Sequence, residues 1–305
     1  MFVFICIDDT DDLTKATSTG KIAQLIEQEL LRCGVVSNSE GITRHQLLLD
    51  NRIAYTSHNS SMCMKLTISQ TANKTWPVLL NQLAEISRQI INAEKALDSD
   101  PGLCICSPDC TTKTNLLIQF GIDGQKKVLT KENAFTLAHE TGVFLEELGG
   151  DGAGVIGALC GVGLRLSGYD GWFRGKINLD DYGISSEKVS AAELAEKLHL
   201  PVFIDGAQHL AAGDEMVDLS AGIKALLWKH QWAIVIKNID NSDLYQACNK
   251  RSLSNSACLM AKSCDDFVFD NDEEEFASDC SRQTCFNCLY RRWTADTFTC
   301  VKDRL

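Results

Sequence analysis

The chain opens with an apolar run, Phe2-Val3-Phe4-Ile5-Cys6-Ile7, that passes directly into Asp8-Asp9-Thr10-Asp11-Asp12. Such a run reads as a β-strand, and carboxylates at its carboxyl end lie at the rim of a sheet, where open α/β sheets bind their ligands. Asp8, Asp9 and Asp11 are hard oxygen ligands suited to magnesium. The hydroxyl-rich stretch Thr14 to Gly20 follows and leads into Ile22, Leu25, Ile26, Leu30 and Leu31, spaced as one face of a helix. Free N–H groups at a helix N-terminus, preceded by Ser18 and Thr19, form a cradle for phosphate. Carboxylates and cradle together predict a metal–nucleotide site. The plainer alternative is a polar turn with an N-cap.

Composition bounds the rest. At 305 residues, with 45% hydrophobic and 23% charged content, the chain is long enough for two or three domains of ordinary soluble character. A net charge of -12 argues against a broad electrostatic grip on nucleic acid, so an RNA partner would need a local basic patch. No apolar run approaches the ~20 residues of a membrane span, and the start carries no signal-peptide pattern, so a cytoplasmic location is expected. There the 14 cysteines are expected as reduced thiols, partly core and partly metal-binding.

After Cys33-Gly34 a second strand region is predicted through Leu47-Leu48-Leu49, then a polar loop from Asp50 to Ser61 and a strand in which Met62, Met64, Leu66 and Ile68 share a face. Asn51, Thr56 and Asn59 in that loop are candidate substrate contacts; each Asn also suits a turn capped by its own side chain. An amphipathic helix is predicted over Pro77 to Ile91, a turn into a strand over Asp98 to Cys106, a strand over Asn115 to Phe120 and a helix over Lys131 to Leu148. The alternation of Cys104 and Cys106 along a strand favours packing over metal binding. The run from Gly149 to Leu159 places five glycines in nine positions before an apolar helix, and Gly150, Gly152 and Gly154 would let backbone amides approach a phosphate. Close helix packing is the alternative use of these glycines.

Beyond this point a short helix over Leu194 to Leu200 and strands through Ile234-Val235-Ile236-Lys237 predict a small β-rich or α+β unit over residues 179–240. Residues 241–305 form a Cys-rich tail. Cys285-Phe286-Asn287-Cys288 has the spacing with which two thiolates grip zinc, and Cys280 and Cys300 would complete a set of four, with unligated thiols as the competitor. Arg291-Arg292-Trp293, after Tyr290, is a basic and aromatic cluster that would suit a nucleobase or plain surface packing.

Four of these motifs, in order within residues 1 to about 175, resemble the N-terminal kinase-like region of the tRNA-isoleucine agmatinylcytidine synthetase (agmatidine synthase) family. They are Ile7-Asp8-Asp9-Thr10-Asp11 with Thr17-Ser18-Thr19, where that family has Cys-Thr-Thr; the polar positions Asn51, Thr56 and Asn59; Asp100-Pro101-Gly102, with Asp for the family's Asn; and the glycine run. Tyr55 and Ser57 stand where the family has basic residues. The resemblance implies an α/β (α+β) fold with a kinase-like ATP/Mg region and ferredoxin-like elements over residues 1–178. It implies an ATP- and magnesium-dependent phosphotransferase, ligase-like, acting in tRNA cytidine modification. Asp8, Asp9 and Asp11 would hold magnesium, and with Ser18 form the catalytic set. Thr10, Thr19, Gly150, Gly152 and Gly154 would contact ATP, and Asn51, Thr56 and Asn59 the substrate. The loss of the basic loop keeps two alternatives open, a small-metabolite kinase and a non-catalytic nucleotide- or RNA-binding protein of the same fold.

Overall fold

The computed structural model describes residues 1–305 apart from 13–16, 57, 70–73, 176, 206–209, 221, 239–243, 248–263, 270–282, 284, 286, 287, 294–297, 301 and 303–305. The chain divides into two units, residues 1–171 with 292–299, and residues 172–291 with 300–305.

In the first unit the opening apolar run is β1 (Phe2–Asp8), and its burial on both faces makes it the central strand. It pairs antiparallel with β3 (Ser60–Ile68), Ile5 opposite Met64, and with β4 (Gly102–Cys106), Ile5 opposite Ile105. β2 (Val36–Gln46) lies outside β3, and β5 (Phe144–Glu147) outside β4, so the order is β5-β4-β1-β3-β2, antiparallel throughout. Helix α1 (Thr19–Arg32) connects β1 to β2, and α2 (Trp76–Glu94) connects β3 to β4. A βαββαβ chain with strands ordered 4-1-3-2 is ferredoxin-like, and the overall mixture of strands and helices is the expected α+β class.

The pleat of β1 divides the core. Val3, Ile5 and Ile7 face Ile22, Ile26 and Leu30 of α1 and Leu79, Leu83 and Ile91 of α2. Phe4 and Cys6 face the other way, against α3 (Thr114–Gly124), α4 (Lys131–Thr141) and α5 (Gly154–Ser167) through Leu117, Ala134, Val155, Ala158 and Val162. Each fully buried aliphatic side chain contributes about 1.5–3 kcal/mol. Both faces of the strand are therefore anchored, and its carboxyl end is held in place.

The second strand ends at Gln46 rather than running through Leu47-Leu48-Leu49, and two further expected elements differ. Asn115–Phe120 is not a strand but the body of α3, whose buried residues Leu117, Phe120, Gly121 and Gly124 keep helical spacing. Gly121 packs so tightly on α5 that an added Cβ would lie 2.7 Å from the Cys160 carbonyl oxygen, so glycines that look like breaks serve as contact points. The helix from Lys131 ends at Thr141, because Gly142 takes the left-handed conformation at φ +74° and closes it. The chain then returns as β5, Leu145 opposite Cys104.

The second unit is β-rich. Its strands β6 (Trp172–Phe173), β7 (Lys188–Ser190), β8 (Val202–Ile204), β9 (Met216–Asp218), β10 (Leu226–Trp228), β11 (Gln231–Asn238) and β12 (Leu244–Ala247) run in the order β6-β10-β11-β12-β9-β7, with β8 parallel to β11. Helix α6 (Ala191–Leu198) is capped by Ser190 and buries Leu194 and Leu198 among Val202, Val217 and Ile234. A two-stranded ribbon, β13 (Arg291–Trp293) and β14 (Phe298–Cys300), belongs for the most part to the first unit. Among the described residues no helix is long and apolar enough to cross a membrane.

Candidate functional site

The carboxyl end of β1 meets two helix N-termini. Asp8 is 8% exposed and lies against α5, where Gly157 leaves room for its carboxylate. The next residue, Asp9, adopts φ +54°, the left-handed region that costs a residue with a Cβ about 1–2 kcal/mol and that Asp tolerates better than most. This turn folds the Asp9 N–H back onto Asp8 Oδ1 at 2.9 Å. Strain of this kind at a strand end is often part of a working site.

Thr10 then ties three segments together. Its buried hydroxyl donates to Thr19 Oγ1 at 3.0 Å, and its carbonyl accepts the N–H of Ala96, just beyond α2, at 2.9 Å. Asp11 Oδ2 accepts the Thr19 N–H at 3.4 Å. Ser18 caps α1 by accepting the N–H of Lys21 at 3.2 Å, so the start of α1 beside the acids is a capped helix end.

The glycine run forms the facing wall. Gly150 and Gly152 take φ +54° and +74°, and the Gly154 N–H reaches the Asp100 carbonyl at 2.9 Å. Asp100 Oδ1 accepts the Asp151 N–H, so the Asp100 side chain and carbonyl both shape the loop. Two ammonium groups flank it. Lys95 Nζ donates to the Leu148 carbonyl, while Lys131 Nζ donates to the Asp151 carbonyl and lies 3.1 Å from Glu147 Oε1.

The electrostatics follow from burial and crowding. Burial above all, with the neighbouring charges of Asp9 and Asp11, drives the Asp8 carboxyl well above the usual carboxylate range, against the opposing bond from the Asp9 N–H. Asp9 is pushed up to about 7 by burial and then by the charges of Asp100, Asp11 and Asp151. Five carboxylates thus sense one another, and only a cation relieves that repulsion without protonation. Their donor chemistry, all hard oxygen, fits magnesium. Among the described residues no three of His, Cys, Asp or Glu are already gathered into a metal cage, here or in the tail.

The sequence names Asp8, Asp9, Thr10, Asp11, Ser18, Thr19 and the glycine run as candidates, and the fold places them around the carboxyl end of β1 and the starts of α1 and α5. It missed Asp100 and Asp151 as members of the acidic group. The available signal was an Asp-Pro-Gly turn at the start of a strand that pairs with β1. The loop candidates lie between β2 and β3. Asn59 donates to the Leu48 carbonyl at 2.7 Å, Asn51 stands exposed in a turn begun by Asp50, and Thr56 is half-buried. Arg292 stacks over the Tyr55 ring at 4.2 Å and donates to the Ile53 carbonyl at 3.4 Å, while Arg291 is buried and donates to the Cys288 carbonyl at 3.2 Å. The two arginines of the basic cluster are thus engaged with protein. Cys285, Cys288 and Cys300 are in no disulfide among the described residues, and Cys280 lies outside them.

No protein-family model and no curated protein sequence matches the chain. Among solved structures, the fold is similar to that of apo TiaS, an agmatidine synthetase for an isoleucine tRNA, with a TM-score of 0.43 and 21% identity over 53% of this chain and 35% of that one. It is similar to the complex of TiaS with that tRNA and ATP at TM-score 0.44 and 22% identity, over 53% and 36%. A structure described as a tRNA fluorescent labeling enzyme gives 0.43 and 21% over 53% and 36%. The matched part spans little more than a third of those proteins.

Proposed function

We propose that the first unit is an ATP- and magnesium-dependent phosphotransferase. One observation carries this reading: the acids at the end of β1 lie between the N-termini of α1 and α5, with Asp11 bonded to the first N–H of α1 and the Asp8 backbone carbonyl close against Gly154 at the start of α5. Helix N-termini attract phosphate, whereas bare carboxylates repel it. A cation between them reconciles the two, and a magnesium-bound polyphosphate supplies both charges. Asp8, Asp9 and Asp11 would hold the metal, whose chemistry is to neutralise charge on the transferring phosphoryl group. The positive ends of α1 and α5, with the Lys95 and Lys131 ammonium groups, would attract and orient the phosphates, and the Gly150 to Gly154 loop would let them approach closely.

The acceptor divides the proposal. The sequence resemblance favours a tRNA cytidine, with agmatine as the amine; the TiaS structures are described with tRNA, ATP and agmatine. Tyr55 beneath Arg292 and the net charge of -12 favour a small metabolite instead. In the tail, Cys280, Cys285, Cys288 and Cys300 would hold a structural zinc, to be read by elemental analysis of the purified protein. ATP consumption, measured with magnesium alone, with bulk tRNA and agmatine, and with a panel of small hydroxylated metabolites, tests the reading. Hydrolysis or transfer that requires magnesium supports it, and failure to bind ATP in all conditions overturns it.

A further inference from the structure

Gly157 is the fourth residue of α5, and its backbone is ordinary right-handed helix, a conformation open to any residue. Glycine there weakens a helix relative to alanine, so its presence needs a reason in space. A Cβ at this position would fall 1.6 Å from Asp8 Oδ2, 2.6 Å from its Cγ and 3.1 Å from its Cβ. The carboxylate occupies the volume that a side chain would take. One turn later Gly161 is filled differently, by Cys6 Sγ and Ser61 Oγ, each 2.4 Å from its notional Cβ, which is packing of helix on strand. Among the described glycines, Gly157 is the one whose space is filled by an ionisable side chain at the end of β1.

We infer that Gly157 is a positioning residue: the space it leaves fixes where the Asp8 carboxylate stands, and hence where the cation of the proposed site is met. With any larger residue the carboxylate must swing away from α5, because Oδ2, Cγ and the new Cβ cannot share the space. The inference rests on the phosphotransferase reading for its consequence, and on the Asp8–Gly157 approach for its geometry. The two are separable.

The experiment is a double-substitution cycle read in two ways. Gly157→Ala in the full chain is expected to weaken magnesium-dependent ATP binding at least tenfold, with a modest fall in Tm. In an Asp8→Ala background most of that fall should vanish, since the nearest remaining Asp8 atom is the Cβ at 3.1 Å. If Gly157→Ala lowers Tm equally in both backgrounds, or leaves magnesium-dependent ATP binding at the native level, the inference is overturned. Should Gly157→Ala alone fail to fold, a folded double variant supports the inference and an unfolded one overturns it. If the native protein binds no ATP with magnesium, the phosphotransferase reading fails, and the melting cycle still decides the steric relation.

Discussion

The hydroxyl of Thr10 donates to the hydroxyl of Thr19 at 3.0 Å, and both residues are buried. This bond closes the loop between β1 and the first residue of α1. It holds the acids of residues 8–11 against the amides of the helix start, whose first N–H reaches Asp11. The arrangement couples a carboxylate cluster, which repels itself, to a helix end, which attracts negative charge.

Thr19→Val keeps the shape of the side chain and removes this partner. A buried hydroxyl bond of this kind contributes about 1 kcal/mol, with somewhat more lost because the Thr10 hydroxyl stays buried. Chemical denaturation should register that loss. Binding of magnesium with ATP should fall further, by about tenfold or more, because a misplacement of the helix start moves every amide of the cradle. A variant that loses stability and retains full ATP affinity would separate the bond from the site.

The Asp9 carboxyl, near 7 in the folded chain, gives a pH signature. Unfolded, it titrates near 3.9, so between those values the folded state binds more proton than the unfolded state. Stability therefore falls as pH rises from about 4 to about 7 and is level for this group above that; the whole effect is at most ~4 kcal/mol. Without a cation, Tm should be higher at pH 5 than at pH 8. Added magnesium should restore Tm at pH 8 and do little at pH 5, where Asp9 is protonated. A Tm independent of magnesium at both pH values would count against the cluster as a cation site.

Asp9→Asn removes one charge from the group while keeping its size. The expected result is a Tm at pH 8 equal to or above that of the native protein, with the pH slope flattened and magnesium-dependent ATP binding lost. Differential scanning calorimetry across pH, paired with titration of ATP, checks this. Collapse of the fold would mean that the acids are structural.

Gly154→Ala tests the opposite wall. An added Cβ would lie 2.5 Å from the Asp100 carbonyl oxygen and 2.7 Å from the Gly102 nitrogen, both backbone atoms that cannot turn aside. Overpacking of this kind costs about 1–3 kcal/mol, occasionally more. A different contact makes Gly152→Val a poor probe of phosphate approach alone, because Glu147 Cδ lies 2.4 Å from that notional Cβ and Gly152 has φ +74°. Stability and ATP binding should fall together in both variants, and loss of binding alone would assign these glycines to the ligand rather than to packing.

What could be read from the sequence was local. The apolar run before Asp8, the hydroxyls before Ile22 and the glycines before Val155 all signal themselves within a few residues, and those elements stand where expected. What escaped was set by distant partners. Asn115–Phe120 has the apolar density of a strand, yet it is a helix that packs on α5 at Gly121 and Gly124. Asp100 enters the acidic group because β4 pairs with β1, Gly102 opposite Asp8, which no periodicity along the chain reveals. The loop asparagines carry an ambiguous signal, because an Asn that bonds a carbonyl across its loop, as Asn59 does to Leu48, has the same sequence signature as one that bonds a ligand.

The acceptor is best approached through charge. Strong non-specific binding of tRNA needs about six to ten phosphate contacts, each from a Lys or Arg near the groove. The chain has 29 such residues against 41 acids. Arg292 is spent on the Tyr55 ring and the Ile53 carbonyl, and Arg291 is buried. Lys95 and Lys131 face the glycine loop, where they suit the phosphates of a nucleotide better than those of a duplex stem. Bulk tRNA should therefore bind no tighter than tens of micromolar at ~150 mM salt, the ionic strength of physiological screening. Fluorescence anisotropy with labelled bulk tRNA measures this directly. Submicromolar binding that weakens steeply with added salt would return a tRNA cytidine to first place as the acceptor, whereas weak or absent binding alongside magnesium-dependent ATP turnover leaves a small hydroxylated metabolite.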